Sequence, residues 1–587
     1  MADYSINNVY QGGYSSLNPK YGDIFTGYRI NPGSLGTTTD PRTANIIQET
    51  TSKLNMGVKQ IELALVSPEI FDSIPKQQLK EVNRLSKLTG IDISVHGPVM
   101  GSAGISQNGF SEMNREAEQR RIADVLVRST EVKPEGNVNV TFHSSEGIPG
   151  TEWKVIGKEA KKIIAIDKES GKMIPLEEEK KFYPGTDLSK PKIYSPEENL
   201  RMANETEWDN KINQLFFNKE RADEILNQNS LQIQHLFDYI QEKEKKGEAP
   251  VLSEVQRDIY NKFSDARNYL SEVNKNANGI FNKAYEFGND EQRKLLVNIS
   301  NEYAEALKNN KEGISGQSRA THELLLKLQD PTLAPEMFVP IEKFAVDKSS
   351  QTFGNAAFEA YKQKGNNAPI LTIENPPAGF ALSTGEDLKN LIEASRKKFA
   401  ERAVSEKGIS EKEANKLAEK FIGATWDVGH INMIRKQGFE GKDVVAESEK
   451  IAKLVKHVHL SDNFGFEHTE LPMGMGNVPI KEIMERLGKE GFDAKKIIEV
   501  GQWWQHFKTP PLRETLEAFG SPIYGMEMGP YWNQSPGFQA NYFGGYGMML
   551  PQTNYETFGA GFSRLPSELG GSRPGAEGSR MSGRGME

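Results

Sequence analysis

The chain has 587 residues and a formal net charge of −9, which argues against a generally basic coat for nucleic acid, while 36% hydrophobic residues are enough for a packed core. It contains no cysteine, which excludes disulfides, thiolate zinc sites and a cysteine nucleophile, so any metal must be held by nitrogen and oxygen ligands. The N-terminus has no basic segment followed by an apolar one, and no stretch approaches about 18 uninterrupted apolar residues, so we expect a cytoplasmic protein without a transmembrane helix.

The first half of the predicted fold alternates between apolar strands and polar helices. After an irregular lead-in at residues 1–25, residues 26–150 contain the predicted strands GYRINP, KQIELALV, DISVHGPV and NVNVTFHSS, with a helix after each of the first three. Strands and helices that alternate at this spacing predict βαβ units and a parallel sheet. The strands are nearly continuous apolar runs, as expected when both faces of the sheet are covered.

The alternation breaks at residues 151–354, which we interpret as an insertion. Its segment IIAIDKESGKMIPLE predicts a β-hairpin, and the later segments have apolar residues at i, i+3 and i+4, which predicts amphipathic helices. The alternation resumes over residues 355–520 with the strands APILTIENP, FIGATWDVGH, HVHLSD and KKIIEVG. Residues 521–587 are rich in glycine and contain aromatic and amide side chains, which indicates a flexible tail.

The two alternating blocks together predict eight strands and eight helices. That tally is typical of a (β/α)8 TIM barrel of the α/β class, which counts as one domain of about 250 residues. The insertion follows the fourth predicted strand, on the face where barrel active sites are built.

Histidine is scarce in this chain, and its placement follows the predicted strands. Six of the 9 histidines lie in the segments ISVHGP, VTFHSS, TWDVGHI and KHVHLSDN with its continuation FEHTELP. Two further apolar runs, ILTIEN and KIIEVG, contain a carboxylate at their ends. Because the C-terminal ends of all strands in a parallel barrel converge on one mouth, we expect these side chains to surround one rim. The expected metal ligands are His96, His143, Glu374, Asp427, His430, His459, His468, Glu470 and Glu499.

This set contains more ligands than one metal ion needs. A single zinc takes three or four protein ligands, so the set can hold two or three ions if one carboxylate bridges. Ions about 3.5–4 Å apart clamp the attacking and leaving oxygens of a phosphoryl displacement and generate hydroxide at neutral pH. His457 lies in phase with His459 along its strand, and we expect it to support the site rather than to bind metal.

Short motifs occur in a fixed order around these residues. They are HGP, TFHSS, IENPPAGF, WDVGH, HLSDN followed by LPMGMGN, and IIEVG. This ordered set resembles the xylose-isomerase-like TIM barrels, and among them it most resembles apurinic/apyrimidinic endonuclease IV. The resemblance covers about residues 26–150 and 355–520 and excludes the insertion and the tail. It implies a trinuclear zinc site. Nitrogen and oxygen ligands also suit manganese.

The resemblance also distributes the ligands over three ions. One zinc would be held by His96, His143 and Glu374. The second would be held by Glu374, Asp427, His459 and Glu499, with Glu374 bridging the two ions. The third would be held by His430 and the pair in FEHTELP.

The loop of the third zinc departs from the family pattern. The family has Asp-x-His there, four residues before a glycine, and that glycine is Gly474 in this chain. His468 therefore stands at the aspartate position and Glu470 at the histidine position. Both side chains can bind a metal, but the exchange changes the charge and softness of the site. Glu467 is the alternative acidic partner.

The resemblance implies hydrolysis of the DNA phosphodiester on the 5′ side of an abasic site, a reaction of base excision repair. A metal-bridging hydroxide would attack phosphorus in line, and the catalytic ligands would be Glu374, Asp427 and Glu499. Damaged nucleotides are extruded from the helix, and loops fill the gap they leave. Val99 and Met100 follow His96 where the family inserts side chains into DNA, and Arg29 is a candidate phosphate contact.

A mononuclear metal-dependent sugar isomerase or epimerase is the competing interpretation. Such relatives hold one ion with Glu, Asp, His and Glu from strands five to eight, a set that this chain supplies equally well. Glu374 and Glu499 would then flank the sugar as acid and base. The remaining ligands discriminate, since a mononuclear isomerase has no need of them; they are His96, His143, His430, His468 and Glu470.

Overall fold

The computed structural model describes residues 35–519, apart from 57, 107, 157, 185, 186, 188, 311, 312, 502 and 504–510. The predicted lead-in, the predicted strand GYRINP, Arg29 and the predicted tail lie outside the described residues. Among the helices that are described, none is long and apolar enough to cross a membrane.

Eight parallel strands close into a barrel in which chain neighbours lie side by side and the last strand lies beside the first. The closed parallel barrel confirms the predicted TIM barrel of the α/β class. The strands are β1 (Leu35–Thr38), β2 (Gln60–Ala64), β3 (Asp92–His96), β4 (Asn139–His143), β5 (Ile370–Glu374), β6 (Ile422–Asp427), β7 (Val455–Leu460) and β8 (Lys495–Ile498).

The first barrel strand that the structure describes is β1, whereas the predicted strand GYRINP lies outside the described residues. The sequence of β1 is LGTT, which contains one large apolar side chain and therefore lacks the apolar run that identifies the other strands. Its small residues suit a crowded position, because a Cβ added to Gly36 would lie 2.5 Å from the carbonyl oxygen of Gln60. Pairing with β2 and β8, rather than hydrophobicity, defines this strand.

The barrel belongs to a compact unit that contains the described parts of residues 35–104, 113–148 and 346–519. Helices follow the strands along the chain, as the alternation predicts. They are Ile46–Asn55, Pro68–Ser73, Lys76–Thr89, Glu112–Ser129, Ile341–Lys364, Gly385–Lys407, Glu411–Phe421, Val428–Asn432, Gly441–Ile451, Ile480–Asp493 and Leu512–Ala518. Single 3-10 turns occur at Gly365–Asn367, Met433–Gln437 and Ala452–Leu454.

A second compact unit comprises residues 105–112 and 149–345. Its strands are Ile105–Ser106, Gly109–Phe110, Glu152–Val155, Glu159–Asp167, Met173–Glu177, Glu179–Lys181, Lys192–Tyr194 and Phe338–Pro340. Its helices are Pro196–Gln228, Ser230–Lys245, Glu254–Phe287, Asp290–Lys308 and Ile314–Leu328, with a 3-10 turn at Pro331–Leu333. Strands Glu159–Asp167 and Met173–Glu177 pair antiparallel in the segment that predicts a hairpin. Trp208 anchors the helices, since its indole nitrogen donates to the Leu328 carbonyl at 2.9 Å.

The interior of the barrel is polar along one side. The hydroxyls of Thr141, Thr372 and Thr425, from β4, β5 and β6, lie 2.9–3.2 Å from one another. All three residues are fully buried, so each hydroxyl forms hydrogen bonds with the other hydroxyls instead of with water. The barrel core is therefore built around hydrogen bonds at positions where branched apolar residues dominate in most TIM barrels.

Lys456 is a partly buried amine at the start of β7. Its stem lies over Gly423, where an added Cβ would come within 2.5 Å of the lysine Cδ, and its Nζ donates to the Lys420 carbonyl at 2.9 Å. Burial lowers the pKa of Lys456 to about 8 from a value of 10.5. The folded state therefore disfavours the charged amine, which lowers the free energy of unfolding. This reduction is largest below pH 8 and decreases as the pH rises toward 10.5.

Lys456→Met is expected to stabilise the fold at pH 7 by about 1–2 kcal/mol in the free energy of unfolding, because it removes a buried charge. The gain is expected to become small near pH 10.5, where the folded-state amine is neutral and only about half of the unfolded chains still carry the charge. Urea unfolding at the two pH values measures it, and Lys453→Met, at an exposed position close by, is the control. An equal effect of Lys456→Met at both pH values would contradict the explanation by charge.

Candidate metal centre

The predicted ligands lie at the C-terminal rim of the barrel because they end its strands. His96, His143, Glu374 and Asp427 are the last residues of β3, β4, β5 and β6. His459 lies one residue before the end of β7, and strand register pairs it with Asp427 while Glu374 pairs with His143. Glu499 follows β8 directly. Strand register thus turns residues that are far apart in sequence into neighbours.

A first group of possible ligand atoms is formed by His96, His143 and Glu374. The Oε2 atom of Glu374 lies 3.1 Å from Nε2 of His96 and 3.6 Å from Nε2 of His143. The Nδ1 atom of His96 lies 2.9 Å from the Gly97 carbonyl, which accepts its proton and leaves Nε2 free to face the cluster. The local geometry therefore orients two imidazoles toward one carboxylate oxygen.

A second group uses the other oxygen of the same carboxylate. Ligand atoms of Glu374, Asp427, His459 and Glu499 all lie within 4.8 Å of one another. The Nδ1 atom of His459 lies 2.7 Å from Glu374 Oε1 and 2.9 Å from Glu499 Oε2. Glu374 thus presents one oxygen to each group, which is the arrangement that a bridging carboxylate requires.

A third group lies beside Asp427 and contains His430, His468 and Glu470. The Nε2 atoms of His430 and His468 are 2.8 Å apart, and Nε2 of His430 lies 3.8 Å from Asp427 Oδ2. Glu470 Oε1 lies 3.6 Å from His468 Nε2. The Nδ1 atom of His430 lies 2.7 Å from the Asn375 carbonyl, so its Nε2 faces His468. Glu467, the alternative ligand, is exposed.

The structure therefore connects all nine predicted ligands through contacts of 3.9 Å or less. Their role as metal ligands stays a prediction. Eight of them are fully or largely buried from solvent, and His468 is the most exposed, with about a third of its side chain accessible.

The charges of these groups are strongly perturbed. Burial, together with the neighbouring Glu374 and Glu499, raises the pKa of Asp427 to about 7. Burial and Glu499 likewise raise the pKa of Glu470 to about 7. Burial lowers the pKa of His143 to about 4, whereas the carboxylate of Glu374 overcomes burial and raises the pKa of His96 to about 9. Such crowding of acids is relieved when a cation binds between them.

One buried carboxylate oxygen without a hydrogen-bond partner tests whether the residues fit a metal ion. Asp427 Oδ2 is buried and has no hydrogen-bond partner among the described residues. A buried carboxylate oxygen without a partner is costly, and a cation at this position would satisfy it. The donor set consists of imidazole nitrogens and carboxylate oxygens, which suits zinc or manganese. The residues therefore fit the metal ions that the resemblance implies.

The predicted DNA-contacting side chains are placed less favourably than the ligands. Met100 is only 4% exposed, and Val99 is half-buried with its backbone nitrogen donating to the Val66 carbonyl at 3.0 Å. Met100 would have to leave its packing to enter a DNA helix, so its predicted role needs a movement of this loop. Arg29, the third predicted contact, lies outside the described residues.

Sequence reasoning missed Glu62, a fully buried carboxylate in the middle of β2. It faces His457 and His459 across the barrel at 2.9 Å each. The available signal was a lone acidic residue in the apolar run KQIELALV. His457, expected to support the site, makes its closest contact with this carboxylate.

Residues 386–519 match a family model described as xylose isomerase-like TIM barrel. The second half of this closed barrel is thus similar to the xylose isomerase-like TIM barrels. Such barrels include both endonuclease IV-type enzymes and sugar epimerases, and they usually bind metal ions. The matched residues contain the predicted ligands from Asp427 to Glu499. This similarity does not decide between the two reactions.

The individual proteins to which this chain is similar are distant. Uncharacterized protein MJ1311 of Methanocaldococcus jannaschii is 32% identical over 83 residues, which are 14% of this chain and 27% of that protein. The chain thus spans about a quarter of the length of this curated relative. The crystal structure of a D-tagatose 3-epimerase-like protein is similar with a TM-score of 0.35 and 13% identity, over 83% of this chain and 96% of that one.

Proposed function

We propose that this protein is a zinc-dependent endonuclease that hydrolyses the DNA phosphodiester 5′ to abasic sites. The observation that carries the proposal is the number of imidazoles around the rim. His96, His143 and His430 converge on the same carboxylates as His459, through contacts of 3.1–3.9 Å. One ion does not need these additional ligands, whereas phosphoryl displacement gains from two or three adjacent ions.

The charge of Glu374 and the fixed orientation of two imidazole rings favour the binding of several cations at this site. Glu374 is anionic because the imidazoles of His459 and His143 overcome burial and hold its pKa well below the usual range. His96 and His430 donate Nδ1 protons to backbone carbonyls, which fixes both rings before any substrate binds. When bound, the ions would supply Lewis acidity toward the phosphate and lower the pKa of water.

In the proposed reaction, a water oxygen forms a bond to phosphorus and the bond from phosphorus to the 3′ oxygen breaks. The products are a 3′ hydroxyl and a 5′ phosphate on the abasic sugar. Glu374, Asp427 and His459 are buried, so little bulk water reaches the centre, and this would strengthen the attraction between bound cations and the phosphate. The abasic nucleotide has to leave the helix to reach this rim.

A mononuclear sugar isomerase or epimerase is the second candidate function. It is favoured by the second group alone, because Glu374, Asp427, His459 and Glu499 provide a complete set for one ion. Glu374 and Glu499 both contact His459 Nδ1, so they would hold the same ion and could act as acid and base on a bound sugar.

One pair of assays distinguishes the two functions. The zinc-reconstituted protein is incubated with a duplex that carries one tetrahydrofuran abasic analogue, and separately with a panel of ketoses. We expect a nick directly 5′ of the analogue, no nick in the matched undamaged duplex, and loss of nicking after removal of metal with EDTA. Isomerisation or epimerisation of a ketose without any incision would overturn the endonuclease proposal.

A further inference from the structure

The loop between β7 and the helix Ile480–Asp493 carries two exposed aromatic side chains beside the candidate metal centre. Phe464 is 54% exposed and Phe466 is 61% exposed, although phenylalanine is among the residues that proteins usually bury. Phe466 lies two residues before His468, whose Nε2 atom is 2.8 Å from that of His430 in the third ligand group. Exposed apolar side chains grouped at the edge of a polar site indicate a surface that a ligand covers.

Hydrogen bonds hold the base of this loop. The buried Asp462 exchanges two backbone hydrogen bonds with Leu471, at 2.7 and 2.8 Å. Its carboxylate accepts hydrogen bonds from the backbone nitrogens of Asn463, Gly474 and Val478 at 2.8–3.0 Å. One buried residue therefore closes the loop on itself, so the two phenylalanines extend from a preorganised backbone, which lowers the entropy cost of binding a ligand.

Gly465 separates the two phenylalanines and bends the chain between them. Its φ of +84° lies in the left-handed region, and its backbone nitrogen donates to Oδ1 of Asn463 at 2.8 Å. A Cβ added to Gly465 would lie 2.7 Å from Cβ of Arg435, so the backbone packs closely on that side chain. Gly465 is buried while both of its neighbours are exposed, and the bend thus leaves the two rings at the surface.

Two basic residues lie at the foot of the same loop. Arg435 donates from Nη1 to the Asn477 carbonyl at 3.1 Å, and Lys436 next to it is exposed. Glu467 is an exposed acid in the loop and offsets one of the two positive charges. Aromatic rings together with basic side chains are the combination that binds unpaired nucleotides, because bases stack on the rings while cations attract the phosphates.

The loop after β3 does not supply such exposed side chains. Val99 and Met100 stand where the resemblance predicts insertion into DNA, but Met100 is buried and Val99 is half-buried. An abasic site leaves a gap in the base stack, and the bases beside it have to be covered when the abasic nucleotide leaves the helix. The rings of Phe464 and Phe466 are exposed already and need no rearrangement of packing to meet a base.

The geometry points to Phe464 and Phe466 as a stacking platform for the nucleobases next to the abasic nucleotide, with Arg435 contacting the DNA backbone. This inference rests on the proposed endonuclease function and adds to it the residues that contact the bases. Every base has a π-face, so the platform provides affinity for DNA without preference for a sequence.

The test measures DNA binding separately from cleavage. The zinc-loaded full-length protein is titrated into a fluorescein-labelled duplex that carries one tetrahydrofuran analogue with a cleavage-resistant phosphorothioate on its 5′ side, and anisotropy gives Kd. We expect Phe464→Ala and Phe466→Ala each to raise Kd by about 5–100-fold, which corresponds to the loss of one stacked base. Phe466→Tyr keeps an aromatic ring and should bind as the wild type does, whereas Phe466→Leu should bind as weakly as Phe466→Ala.

The matched control is Leu88→Ala, which removes another exposed apolar side chain. Leu88 is 73% exposed near the end of the helix Lys76–Thr89, which leads into the N-terminal end of β3 and thus lies away from the rim. Its replacement should leave Kd unchanged. Because Phe464 and Phe466 are also more than half exposed, all variants should keep the wild-type melting temperature.

Three outcomes overturn the inference. The first is wild-type affinity for the duplex in both alanine variants, and the second is a wild-type protein that does not bind the duplex. The third is weaker ketose turnover with unchanged DNA affinity in the alanine variants, which would assign the rings to a sugar site. Failure of the endonuclease proposal is recognised separately, since a protein that binds the duplex through these rings without cutting a cleavable one would refute only that proposal.

Discussion

Glu374→Gln is expected to abolish catalysis and to remove more than one metal ion from the protein. The two oxygens of Glu374 face different ligand groups, with His96 at 3.1 Å on one side and His459 at 2.7 Å on the other. Leaving buried charged partners uncompensated costs about 3–5 kcal/mol, which corresponds to a drop of about 10²–10⁴-fold in metal affinity. Metal content after equilibrium dialysis and turnover under saturating zinc measure the two effects.

The control for this change is Glu447→Gln, which neutralises another buried carboxylate that pairs with Gly385 and Lys450. A Glu374→Gln protein that keeps its full metal content would show that this residue does not bridge. Loss of activity by itself would not separate the endonuclease from the isomerase, since both interpretations require this carboxylate.

His143→Ala is expected to separate the two functions. His143 contacts Glu374 at 3.6 Å but belongs to the first ligand group alone, so the set Glu374, Asp427, His459 and Glu499 stays complete. We expect the variant to bind one zinc fewer per chain and to lose incision of abasic DNA by more than about 100-fold, because a charge-stabilising group is removed from the transition state. Metal content and single-turnover incision rates measure the two effects.

His322→Gln is the matched control for His143→Ala, because this histidine belongs to helix Ile314–Leu328 of the other compact unit. It should leave metal content and incision as in the wild type. Unchanged incision of abasic DNA by the His143→Ala variant would contradict the trinuclear interpretation and favour a mononuclear enzyme.

The convergence of these side chains on one rim could be predicted because two simple facts act together. Residues such as His96 and Glu374 end apolar runs in the sequence, and parallel strands bring such ends to one rim. The position of each strand in the closed barrel then follows chain order, so no unusual connection has to be guessed. This is why the sequence suffices for a list of candidate ligands although their distances depend on the register.

Other features could not be predicted for equally physical reasons. β1 is too short and too small in its side chains to form an apolar run, and its place depends on pairing with β2 and β8. Glu62 lies in mid-strand, so its contact with His459 arises only when the barrel closes and brings β2 opposite β7. The burial of Met100 likewise depends on loop packing that no local pattern encodes.

The central claim is that this rim binds several metal ions, and the number of ions per chain tests it most directly. The purified full-length protein is saturated with zinc, dialysed to equilibrium, and analysed by inductively coupled plasma mass spectrometry against its measured concentration. The arrangement of nine ligands around one bridging carboxylate predicts two or three zinc ions per chain. A value of one ion per chain at saturation would contradict it.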